Sequence, residues 1–219
     1  MSGRNKLAAL LAEFLGTGIL TFVVLNVGRS TIGIPYFVAF AAGLAIVLFG
    51  VALARDVHLN PAYTLALWTA RKVKTSRAIA YIAVQVLGAW AAYALYKYFV
   101  NGSVQGASST YEARVLVAEV VGAFVFAFVA VGALYQQTHW AVRSALLGAA
   151  YTIGVIIASV SSNGFVNPAV ALGSNSWVWG TYVLGPVLGA VIGVNLYGMF
   201  FAPGKAAAKV AATAKKSKK

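Results

Sequence analysis

Six apolar runs divide this sequence, at residues 7–27, 34–54, 78–100, 115–134, 141–160 and roughly 177–201. A helix rises 1.5 Å per residue and needs about 20 apolar residues to cross a hydrocarbon core of about 30 Å. Each run reaches that length. No soluble domain of 219 residues could hide a chain that is 61% hydrophobic with only four acidic side chains, so lipid is the solvent for most of its surface. Backbone polar groups in lipid must be satisfied inside the protein, and runs this long do so as helices. The expected class is therefore an all-α integral membrane protein with six spans. Arg4 and Lys6 precede the first run as they would in a signal peptide. That run contains Glu13 and continues to Val27 without a small-residue cleavage site, so it reads as a spanning helix.

Charge is placed by topology. One face collects Arg4, Lys6, Arg55, Arg71, Lys72, Lys74, Arg77, Arg143 and a lysine-rich tail, and the other only Arg29, Lys97 and Arg114. The excess of cations on one side predicts both termini in the cytoplasm, consistent with an even number of spans in a cell membrane. The tail, residues 206–219, lacks aromatic interleaving. It reads as a solubilising or lipid-adsorbing segment, with no nucleic-acid partner expected. Cysteine is absent, which excludes disulfides and thiolate chemistry. Four acids and two histidines offer no nucleophile–base pair, no metal-ligand cluster and no cofactor site, so an enzyme is not expected.

Two apolar pieces are too short to span. They follow Asn60 in HLNPAYTLAL (58–67) and Asn167 in GFVNPAVALG (164–173), each with only about ten residues before a polar or glycine break, or about 15 Å of helix. Asn is a strong N-cap and Pro is favoured at the first helical position, so Asn60-Pro61-Ala62 and Asn167-Pro168-Ala169 read as helix starts. The surrounding halves repeat. Ala12-Glu13 matches Ala118-Glu119 and Gly16 matches Gly122. Glu13 and Glu119 lie 106 positions apart, while Asn60 and Asn167 lie 107 apart. Three spans per half is an odd number, so the second copy inserts upside down and sets the two broken elements face to face near the midplane. Irregular backbone at that depth is tolerated where it lines a wet cavity. Each helix start carries roughly +0.5 of an elementary charge, which repels protons and metal cations, while the Asn amides donate to a passing oxygen. The expectation is one channel domain, 1–205, with halves at about 7–100 and 112–203.

Both Asn-Pro-Ala boxes, the His58-Leu59-Asn60 lead-in, the paired Ala-Glu motifs and the inverted repeat resemble the aquaporin family of water and glycerol channels, over nearly the whole chain. The resemblance implies six transmembrane helices with two re-entrant half-helices, and a homotetramer of pores. It implies that Glu13 and Glu119 hold the backbone of the half-helix loops, and that His58 lines the cytoplasmic vestibule. It also locates a narrow outer filter at Val155, Gly164, Val170 and a residue on the second span. Ungapped counting from Asn60 selects Phe40 there, whereas matching Gly43-Leu44-Ala45 to the family's pattern selects Ala42.

The family's usual filter arginine is replaced by Val170, and neither filter alternative supplies a histidine. An apolar, wider mouth should admit glycerol, urea or ammonia as well as water. A carrier, or a non-conducting structural or junctional protein on the same fold, are the alternatives. Arg55 and Asp56 are open to two readings, an ion pair bracing the loop or a solvated turn. Gly185, Gly189 and Gly193 form a stripe for close helix packing. Trp68, Tyr96, Tyr98, Trp140, Trp177 and Trp179 read as interface anchors.

Overall fold

The computed structural model describes residues 3–29, 35–53, 55–106, 111–176 and 178–203, so the basic tail and Trp177 lie outside the described residues. Among the described residues eight α-helices appear in the order α1 (Gly3–Gly28), α2 (Pro35–Leu53), α3 (Pro61–Thr69), α4 (Thr75–Val100), α5 (Ala113–Tyr135), α6 (Trp140–Ala158), α7 (Pro168–Gly173) and α8 (Leu184–Phe200). A π-helical turn, Trp179–Val183, leads into α8 and completes its span. The six spans match the six apolar runs within a few residues at each end. Among the described residues there is no β-strand.

The inverted repeat is visible in the packing. Helix α1 packs on α4 as α5 packs on α8, and α1 packs on α2 as α5 packs on α6. Each half-helix is gripped by the last span of the opposite half, α3 by α8 and α7 by α4. Glycines set these crossings, because in lipid close van der Waals packing replaces the hydrophobic drive between helices. A Cβ at Gly88 would sit 2.1 Å from the Phe14 carbonyl oxygen, and one at Gly189 would sit 2.1 Å from that of Val120. The expected stripe on α8 is therefore real, with Gly185, Gly189 and Gly193 all set against α5.

Three expectations change. Half-helix α7 has six residues, against nine for α3. It stops where Gly173 abuts the Ala89 backbone and Asn175 turns the chain with a φ of 57°. Tyr96 is buried, packing edge-on against Phe22 at 5.9 Å, so it is an interior residue and not an interface anchor. Asp56 pairs with Arg143 at 2.6 Å, joining the loop before α3 to the start of α6, in place of a pair with its neighbour Arg55.

Candidate functional site

The two half-helices begin head to head. Asn60 Oδ1 accepts hydrogen bonds from the backbone N–H groups of Ala62 at 2.9 Å and Tyr63 at 3.4 Å. Asn167 Oδ1 does the same for Ala169 at 3.0 Å and Val170 at 3.5 Å. The amide nitrogens cross to the other half. Asn60 Nδ2 donates to the Val166 carbonyl at 3.0 Å, and Asn167 Nδ2 donates to the Leu59 carbonyl at 2.8 Å. Each Asn therefore caps its own helix and ties down the loop that delivers the other. Both side chains are buried.

The receiving carbonyls belong to strained residues. Leu59 and Val166, each immediately before an Asn, share a left-handed φ of 53°. For a β-branched valine that region is a clear outlier, and such strain persists only where the surroundings over-determine it. The two buried glutamates supply that determination. Glu13 Oε1 accepts from the N–H of His58 at 2.7 Å and its Oε2 from that of Leu59 at 2.8 Å. Glu119 repeats the arrangement, with Oε1 accepting from Phe165 N–H at 3.0 Å and Oε2 from Val166 N–H at 2.7 Å. A carboxylate spanning two consecutive amides holds both φ/ψ pairs of a segment that has no helix or sheet to satisfy it.

Sequence reasoning missed the partners of those acids. Gln85 Nε2 donates to Glu13 Oε2 at 2.7 Å and reaches Thr64 Oγ1 at 3.0 Å, linking α1, α3 and α4. In the other half the Ser162 hydroxyl donates to Glu119, and it accepts from Gly164 N–H at 3.1 Å. Gln85 carried a usable signal, since an uncharged amide in the middle of an apolar run needs a buried partner. Ser162 carried none, because serine before a turn is ordinary.

His58 Nδ1 lies 3.0 Å from Thr64 Oγ1, and its ring packs against Tyr81 and Tyr63 with centroids at 5.1 and 5.8 Å. It borders a cavity of about 50 Å³ that opens toward Asp56 and Arg143, on the basic face. A larger cavity of about 670 Å³ opens on the opposite face, beside Arg29, and reaches Val155, Asn163 and Phe165.

Of the expected filter positions, Gly164 and Val155 meet. Gly164, with a left-handed φ of 65°, lies against Val155, whose carbonyl oxygen would be 2.8 Å from an added Cβ. Val155 and Val170 are buried. On α2 the two candidates part company, with Ala42 only 1% exposed and Phe40 68% exposed on the perimeter. Burial therefore favours Ala42 over Phe40 as the inward-facing residue of α2. The cause is the rotation of α2, set where Gly43 and Gly148 pass backbone to backbone, each leaving 2.6 Å or less for a Cβ beside the other's carbonyl.

Comparison with known proteins agrees with this architecture. A family model described as major intrinsic protein matches residues 2–197. Aquaporin NIP3-1 of Zea mays is 32% identical over 206 residues, covering 85% of this chain and 68% of that protein. Aquaporin Z of Photorhabdus laumondii is 28% identical over 228 residues, covering 90% and 98%. The X-ray structure of the aquaglyceroporin from Plasmodium falciparum covers 90% of this chain and 98% of its own with a TM-score of 0.72. At 21% identity, that last likeness is one of fold.

Proposed function

The chain belongs to the major intrinsic protein family, and from that premise we propose that its conducting path runs past the facing starts of α3 and α7. It is a multi-pass membrane protein and a passive channel for water and small solutes. The observation that carries the proposed path is the reciprocal pair of bonds from Asn60 Nδ2 to Val166 and from Asn167 Nδ2 to Leu59. Two capped helix starts held this way aim their positive ends at one point. Protons and metal cations are repelled there, while an uncharged hydroxyl or water finds donors. Glu13 and Glu119 act at one remove, by fixing the loops.

The reading extends to a permissive solute range. Val170, Val155, Ala42 and Gly164 contribute no charge and no aromatic ring, so these four positions do not demand that a solute fit water's size and hydrogen bonding. Glycerol, urea or ammonia would pass. Purified protein in liposomes, followed by stopped-flow light scattering, tests this. Both water and glycerol permeability should exceed those of empty vesicles, and fast water flux without glycerol flux would overturn the permissive reading.

The same reading places the channel in the cell membrane with the basic face and both termini in the cytoplasm, assembled as a homotetramer and without enzymatic activity. The absence of cysteine makes orientation easy to test. A cysteine at Lys72 should resist a charged thiol reagent in intact cells and react after permeabilisation, whereas one at Arg114 should react in both. The reverse pattern would invert the topology. A carrier would show saturable flux, and a structural protein none.

A further inference from the structure

The position three residues after each Asn is equivalent in the two halves, since its backbone N–H donates to the Asn Oδ1 in both. In the second half that residue is Val170; in the first it is Tyr63. A valine therefore stands toward one mouth and a tyrosine toward the other. The cavities at the two ends differ in size, at about 670 Å³ on the Arg29 face and about 50 Å³ on the basic face, where Tyr63 is part of the lining. The first is therefore a vestibule for many waters and the second a far narrower space.

Tyr63 forms part of the wall of the small cavity and is only 4% exposed. Its ring is wedged between His58, at 5.8 Å, and Phe126, at 5.3 Å. Phe126 meets the Tyr151 ring perpendicularly at 5.4 Å. The Tyr151 hydroxyl then donates to the Phe165 carbonyl at 2.7 Å and lies beside the Asn167 amide. Phe165 itself borders the large cavity. A file of rings thus runs from the small cavity to the crossing point of the two Asn residues. Below Tyr63 the mouth is bridged by a bidentate pair, Arg143 Nε to Asp56 Oδ1 at 2.6 Å and Nη2 to Oδ2 at 3.0 Å. Arg143 is held from the other side by the Thr138 carbonyl.

We propose that Tyr63 is the size-determining residue of this channel, which puts the constriction that slows glycerol relative to water, without excluding it, in the basic-face half of the pore, against Phe126 and Tyr151, and leaves the Arg29 end as a wide vestibule. The proposal rests on the channel reading above. It gives the small, uncharged residues at Val155, Gly164 and Val170 a physical sense, because a channel needs only one narrow point to be selective. The ring's bulk does the sieving and its hydroxyl is secondary.

The test compares water, urea and glycerol permeabilities in proteoliposomes for wild type, Tyr63→Val, Tyr63→Leu, Tyr63→Phe and Val170→Ala. Tyr63→Val should raise the glycerol-to-water permeability ratio about ten-fold, and Tyr63→Leu, Tyr63→Phe and Val170→Ala should each raise it less. Tyr63→Leu keeps an apolar filler in the ring cluster and serves if the valine variant does not fold, and Tyr63→Phe keeps the ring. A folded, water-conducting Tyr63→Val or Tyr63→Leu with an unchanged ratio overturns the proposal. So does Val170→Ala matching the increase. No flux through wild type or any variant removes the channel reading itself, and this inference falls with it.

Discussion

Replacing Glu119 by alanine should abolish water conductance and leave little folded protein. The substitution strips acceptors from the N–H groups of Phe165 and Val166 and from the Ser162 hydroxyl. Each buried donor left unpaired costs about 1–3 kcal/mol, so the two buried amides of Phe165 and Val166 together cost roughly 2–6 kcal/mol, with the half-exposed Ser162 adding less. Whole-domain stabilities are only about 5–15 kcal/mol. The loss also releases the constraint on Val166, whose left-handed backbone survives only under restraint. Once that peptide relaxes, its carbonyl no longer meets Asn60 Nδ2, and the start of α3 loses its anchor to the opposite half. Glu13→Ala should behave alike through His58, Leu59 and Gln85, which is what an inverted repeat demands. Glu119→Gln keeps one acceptor oxygen but turns an NH₂ toward backbone donors, and should fall between wild type and alanine. Thermal melting in detergent with stopped-flow flux decides the matter. An alanine variant that melts and conducts as wild type would show that the loop is braced by something else.

Gly88→Val should be comparably severe by a different route. Its Cβ would lie 2.1 Å from the Phe14 carbonyl oxygen, which is backbone and cannot rotate away. The helices α1 and α4 would have to separate, and in lipid little but close contact holds them together. Overpacking of a tight core by a side chain that can shift costs about 1–3 kcal/mol, and a clash with main chain exceeds that range. The expected result is loss of monodisperse protein on size exclusion, with Gly189→Val matching it against α5. Gly28 is the control. A Cβ there meets nothing within 4 Å, so Gly28→Ala should change stability by less than about 0.5 kcal/mol. Equal behaviour of the Gly88 and Gly28 variants would refute the close-crossing argument.

The parts of this protein that were readable in advance are those whose physics is local or strictly repeated. Bilayer thickness selects the spans residue by residue. An Asn-Pro pair starts a helix wherever it occurs, and duplication at a spacing of 107 residues implies two such starts in opposite senses. A carboxylate inside an apolar run needs partners, and Glu13 and Glu119 each find two consecutive amides.

What depended on helix rotation was not readable. Phe40 and Ala42 differ by two residues, about 200° around a helix, and only the contact of Gly43 with Gly148 determines which faces inward. Asp56 has a cationic neighbour in sequence, yet its partner Arg143 comes from 87 positions away because the start of α6 lies beside that loop. The length of α7 was set by where Ala89 of another helix blocks Gly173. Tyr63 shows the division best. The sequence places it three residues after Asn60 without saying what its ring meets, and the neighbours that make it a wedge, His58, Phe126 and through it Tyr151, converge from three other segments. The lipid solvent, the spans and the paired helix starts were determined by the sequence alone, because they follow from chain length, transfer energy and backbone capping. Which side chains close the passage was decided only by tertiary structure, because rotation and approach of helices in lipid are set by glycine-scale contacts between residues far apart in the chain.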